Sequence, residues 1–328
     1  MAHIVHDDLL SLFGVGRHQI PGIWRFLLPE DAHYFQFPSE EKSTCHSCPQ
    51  VKLQGFHPKY GCCTYHPRIP NYQLGFALSD MGTQSDEEKG LSPRYLVSNL
   101  ISKGFLLPEG MQHSPVMFQN SLEQQYSREF GQNSKVLCPF LRPDTSQCGN
   151  YAYRNSVCAT FFCESDYGKD SEKFWRRMQS LMGQLETSLC QWAMKENNID
   201  PEGYFLTFNS LKENISECSN PDGSWSDKAL DMLWGPWRGQ EAEFFLKCAG
   251  AVRENKEKLY ELASSFQIHD AQDFELAFRD SLPPVLQKEM DDEGLIIGKP
   301  AAVEDLWYGL KVAQSHLARQ IPPPDPDH

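Results

Sequence analysis

The chain has 328 residues, 40% of them hydrophobic, with 44 acidic against 30 basic side chains and a formal charge of −14. That length and apolar content suffice for a sizeable core and exclude a disordered or collagen-like chain. The negative balance, with no basic run of five or more, argues against nucleic acid and against an anionic membrane surface as partners.

In chain order, MAHIVHDDLLSLFG lacks the basic start and long apolar run of a secretory signal. No stretch approaches the ~18 consecutive apolar residues of a membrane span. The reading is therefore a cytoplasmic protein. In that reducing compartment the eleven cysteines are metal ligands or core thiols rather than disulfides. Residues 41–80 are rich in Cys, His, Pro and Gly, as in a loop-rich segment where metal bonds replace a core. Residues 91–107 predict a helix opening near Pro93, with Tyr95, Leu96, Leu100 and Ile101 on one face and Gly104 at its end.

Beyond residue 169 the periodicity turns helical. Phe174, Met178, Leu181, Leu185, Leu189 and Trp192 recur at steps of three and four, with Asp170 or Ser171 as cap. A second long helix is predicted over 240–266, through Phe245, Cys248, Val252, Leu259, Leu262 and Phe266. A third covers 301–319, through Val303, Leu306, Leu310, Ala313 and Leu317. Between the first two, Asn220–Gly223 reads as a turn, and Trp225, Trp234 and Trp237 read as closing the helical core. The fold class read from this is mainly α: a loop-rich cysteine metal-binding module over residues 1–168, packed on a helical region over 169–320, with a disordered proline-rich tail over 321–328.

Two cysteine groups carry the chemistry. The first is Cys45, Cys48, Cys62 and Cys63, accompanied by His46, His57 and His66; the second is Cys138, Cys148, Cys158 and Cys163. Two cysteines separated by two residues aim both sulfurs at one ion from a tight turn, in zinc sites and iron–sulfur clusters alike. The adjacent Cys62–Cys63 pair is awkward for a lone tetrahedral knot, so either the groups exchange ligands or one of the pair is a neighbouring thiol. Cys190 and Cys248 fall inside helical patterns and Cys218 beside a turn, so none of these is read as a ligand. His57 and His66 stand in His-Pro steps and are candidates to orient the centre or line its edge. Arg154, between Cys148 and Cys158, is placed by sequence to offset thiolate charge.

This second group resembles the core of the YkgJ-like cysteine-cluster proteins, described as zinc- or iron-chelating. Cys138, Phe140 and Leu141 match the family's opening; Cys148, Tyr151, Arg154 and Cys158 match its centre, and Cys163 closes it. Cys45, Cys48, Cys62 and Cys63 match its N-terminal part at wider spacing. Asn155 stands where the family has proline. The resemblance covers residues 45–78 and 138–163 and implies a bacterial origin and metal or iron–sulfur binding, without implying a particular reaction.

An iron–sulfur cluster, of the 4Fe-4S kind, is the preferred occupant, with a redox or undefined enzymatic role and a possible protein or redox partner. The alternative is a zinc-binding structural or interaction protein, or a metal carrier. No glycine-rich phosphate loop, His-Glu-x-x-His or Gly-x-Ser-x-Gly occurs, and no carboxylate pair can be named as a catalyst from sequence alone.

Overall fold

Local sequence signals set most helix ends. The computed structural model describes residues 20–35, 37–38, 40, 48–292 and 301–321, except for the side chain of residue 33. Helix α1 (Trp24–Leu27) is followed by α2 (Gln50–Leu53), α3 (Asn71–Leu78), α4 (Gln84–Glu88) and α5 (Pro93–Ser102). Helix α5 starts as predicted: Ser92 accepts from the Tyr95 amide and Pro93 occupies the first turn, where its missing N–H is harmless. A two-stranded antiparallel hairpin, β1 (Leu106–Leu107) and β2 (Gly110–Met111), leads to α6 (Pro115–Ser127). Helix α7 (Ser156–Thr160) then precedes the 29-residue α8 (Gly168–Glu196).

The remaining elements are α9 (Pro201–Ser210), α10 (Asp227–Trp234), α11 (Glu241–Glu254), α12 (Leu259–Ser265), α13 (Gln272–Ser281), α14 (Pro284–Asp292) and α15 (Val303–Leu317). The protein is mainly α-helical. The long helix expected over 240–266 is divided. Asn255 leaves helical geometry and its side-chain amide donates to the Ala251 carbonyl at 2.9 Å, satisfying the end of α11 locally. A 3-10 turn over Lys256–Lys258 follows before α12 begins.

One buried apolar cluster runs from Ile20 to Leu317 and draws on both halves of the chain. At its centre α3 is buried at every position. It lies directly on α11: a Cβ on Gly75 would stand 1.9 Å from the Phe245 carbonyl oxygen, so only glycine allows this approach. Helix α8 buries the predicted stripe, and α15 packs along it. Trp225 and Trp234 are fully buried, and Trp237 packs partly exposed at the edge of the same cluster. Among the described residues no helix is long and apolar enough to cross a membrane.

Candidate metal centre and adjoining cavity

Backbone bonds sew the two cysteine segments together. The Cys138 amide donates to the Cys63 carbonyl at 2.7 Å, and the His57 amide donates to Gly131 at 2.8 Å. Thr64 accepts the Gly131 amide on its hydroxyl at 2.7 Å and the Gln124 side chain on its carbonyl at 2.8 Å. Gln50, just after Cys48-Pro49, donates to the Cys163 carbonyl at 3.0 Å. Cys148 pairs with Leu141 through an isolated bridge. Asn155 accepts the Cys158 amide at 3.0 Å as the cap of α7, while its own amide donates to the Arg68 carbonyl at 3.1 Å. Asn155 thus caps the cysteine-bearing helix and ties it to the first segment.

The thiols of both groups lie within each other's electrostatic reach. Burial, then Cys148 and Cys158, and more weakly Cys62, push the Cys138 thiol well up. Cys158 is pushed up to about 12 by burial first and then by Cys148 and Cys62, with Arg154 acting in the opposite direction. Cys62 is raised chiefly by its hydrogen bond with the Cys63 thiol and by burial. Cys62, Cys138, Cys148 and Cys158 thus act on one another electrostatically, and the Cys63 thiol hydrogen-bonds with Cys62. Cys48 and Cys163 are half-buried at the ends bridged by Gln50, and Cys45 and His46 lie outside the described residues. No disulfide joins the described cysteines. Among the described residues no three His, Cys, Asp or Glu groups are set to hold one metal ion.

The accompanying residues fall in different places. Arg154 stacks on Tyr151 at 3.7 Å, its Nε donates to the Tyr151 carbonyl at 2.9 Å, and its charge favours ionisation of Cys158. His57 stacks on Tyr60 at 3.8 Å and its Nδ1 accepts the Lys59 amide at 3.2 Å, a local loop-stabilising role. His66 is buried, and burial lowers its pKa to about 4, partly offset by a hydrogen bond with the Leu137 backbone. Its hydrogen bond to Leu137 sets it one residue from Cys138, and its ring lies 6.4 Å from that of His113, which lines a cavity.

That cavity, about 280 Å³, was not foreseen in the sequence. It lies between the Arg68–Pro70 segment, the β hairpin, α6, α8, α9 and the 268–275 stretch. The turn Pro108–Glu109 joins β1 to β2 and presents Glu109 to it. Gly110 makes this possible: its φ is +115° and a Cβ there would meet the Ile69 carbonyl oxygen at 2.0 Å. Both turn carbonyls are anchored, Pro108 by the Asn71 amide at 3.0 Å and Glu109 by the Cys190 thiol at 3.0 Å. On the opposite side Gln191 clamps His269 through its backbone N–H and C=O, at 2.8 and 2.7 Å.

Burial pushes the Glu109 carboxyl up to about 7, opposed by Arg68 and by the Tyr204 hydroxyl, which donates at 3.4 Å. His113, also on the lining, places Nε2 2.7 Å from the His66 carbonyl, so Nε2 carries the proton and the ring is neutral. Burial first, then Arg68, lowers its pKa to about 3, and its Nδ1 is buried without a hydrogen-bond partner. Tyr65 lies in the field of Cys158 and Cys138 on one side and of Arg68 on the other. The cavity and the cysteine group are thus neighbours across Tyr65 and His66. The one sequence cue to this site is the Pro-Glu-Gly turn between two Leu-rich pairs, LLPEGM.

No protein-family model matches the chain, and no curated protein or solved structure matches it.

Proposed function

We propose that this protein holds an iron–sulfur cluster through its two cysteine groups and serves a redox or enzymatic role beside the adjoining cavity. The observation that supports the reading is the mutual electrostatic influence of Cys62, Cys138, Cys148 and Cys158, which come from segments about 75 residues apart. Eight cysteines in two tight groups and the aromatic side chains beside them favour a cluster over zinc. Arg154 offsets part of the negative charge such a centre brings, and Phe162, packed on Trp175 at 4.7 Å, shields one side. On the motif residues we also propose kinship with the YkgJ-like cysteine-cluster proteins. The cluster, when bound, would supply electron transfer or substrate activation; the residues of this chain supply its ligands, its counter-charge and the neighbouring Tyr65 and His66.

Anaerobic purification with iron, zinc and acid-labile sulfide analysis and an absorption spectrum tests the reading. Iron with sulfide and a visible band is expected, and Cys148→Ala and Cys158→Ala are each expected to lose it. Zinc at one or two equivalents without sulfide would replace the cluster with the structural zinc alternative. Full metal retention in both variants would overturn the ligand assignment.

A further inference from the structure

The cavity beside the cysteine group is a built binding site rather than a packing gap. Its floor is the Glu109 turn, anchored through Asn71 and Cys190. Its cap is the stretch pinned by Gln191 to His269 and by Asn209, which donates to the Asp270 carbonyl at 3.3 Å and accepts the Phe274 amide at 3.1 Å. Its walls are Phe118, Phe205, Phe208, Phe274 and Phe278. Three carboxyl side chains, Glu109, Asp270 and Glu275, line it with one guanidinium, Arg68. Arg68 stands 3.9 Å from Glu275 and its side chain is 40% exposed, so its single charge is shared between Glu275, Glu109 and solvent. His113 contributes no positive charge, because its ring is neutral.

We propose that this cavity binds a small organic amine as its ammonium ion, with the hydrocarbon part against the phenylalanines and the ammonium on the Glu109 carboxylate. Among the described residues the Tyr204 hydroxyl, at 3.4 Å, is the donor to that carboxylate, which leaves acceptor capacity for an N–H. Phenylalanine faces add cation–π attraction. The raised pKa of Glu109 agrees: burial outweighs the opposing charge of Arg68 and favours the neutral acid, and a bound ammonium adds a second cation beside it. The charged and titratable groups facing it are Arg68, His113, Cys190, Tyr204, His269, Asp270 and Glu275. An anionic ligand would meet the carboxylates, and a neutral one would add no counter-charge to Glu109. None of the proposed metal ligands lines the cavity, so this inference does not rest on the metal reading.

Calorimetry on the full chain, with metal content measured on the same sample, tests it with benzylamine, benzyl alcohol and benzoate as probes. Benzylamine is expected to bind, with affinity rising from pH 6 to pH 8 as Glu109 ionises. Benzyl alcohol is expected to bind at least about tenfold more weakly, and benzoate not at all. Glu109→Gln is expected to weaken benzylamine binding by about tenfold or more. Tighter binding of benzoate, absence of benzylamine binding, or unchanged affinity in Glu109→Gln would each overturn the proposal. If that variant fails to give a cooperative melt, the wild-type pH profile decides: affinity that is flat from pH 6 to pH 8 overturns it.

Discussion

Single residues divide by whether their role is written in spacing. Cys138, Cys148 and Cys158 fall in one spaced group with Tyr151 and Arg154 in the sequence, and the Arg154 charge acts on Cys158 in the fold. His57 and His66 carried no such constraint, and only the fold separates a loop-stacking ring from a buried one. Glu186 was invisible for the opposite reason, as a lone acid on an apolar helix face. It is buried and accepts from the Trp24 indole at 3.0 Å and from the Ser156 amide at 2.8 Å, joining α1, α7 and α8. Burial pushes its carboxyl up to about 7. Trp24 and, at 3.5 Å, Gln73 donate to Oε1 and Ser156 to Oε2, so an amide at this position must turn its NH₂ toward a donor. Glu186→Gln is expected to lower stability by about 1–3 kcal/mol, measured by urea unfolding at pH 4.5, where the folded carboxyl is neutral and the linkage gain of removing it is small. Unchanged stability would show that the three elements are held by packing alone.

Helices were legible wherever periodicity and caps agreed. The stripe on α8 and the register of α15 follow from residue spacing, and the start of α5 from Ser92 and Pro93, whereas α8 begins at Gly168 without the side-chain cap expected from Asp170 or Ser171. The break inside 240–266 was not legible, because apolar residues continue in phase across it and only the Asn255 side chain stops the ladder. The Glu109 hairpin was missed because strands of two residues are too short to show alternation. Packing between elements is equally silent in sequence. Gly75 is a helix-interior glycine, ordinarily unfavourable by about 1 kcal/mol, and its use appears only with α11 lying across it. Gly75→Ala improves helix propensity, yet its methyl would meet the Phe245 carbonyl oxygen at 1.9 Å and the Ala249 methyl at 2.7 Å. The expected outcome is a net loss of about 3 kcal/mol, read from the urea midpoint. A gain in stability would mean that α3 and α11 separate without penalty.

For the molecule as a whole, four buried groups tilt the stability–pH curve in opposite directions. The carboxyls of Glu109 and Glu186 rise from 4.5 to about 7 on folding. The folded chain therefore keeps protons that the unfolded chain has released, and stability falls as pH rises through that interval. His66 and His113 drop from 6.5 to about 4 and about 3. There the unfolded chain holds the extra protons, and stability rises with pH. From pH 4.5 to 6.5 the two pairs offset, so these four groups leave stability nearly level; below pH 4.5 the histidines join the carboxyls held low, among them Asp86 and Asp222, in driving acid unfolding. Removing one carboxyl unbalances the set: Glu109→Gln is expected to gain about 2 kcal/mol between pH 4.5 and 6.5 relative to the parent. Urea titrations at the two pH values check this, and parallel profiles for parent and variant would refute it.

The burial of α3 also bears on how the chain comes to be made. Its largest contact is with α11, some 170 residues later, and synthesis proceeds at about 5–20 residues per second. The face of α3 that α11 covers therefore stays open for about ten seconds or more after α3 has been made. During that interval its apolar side chains are available to water and to any holding chaperone. The core of this chain closes at the end of synthesis, when α11 has emerged to cover Gly75 and its neighbours.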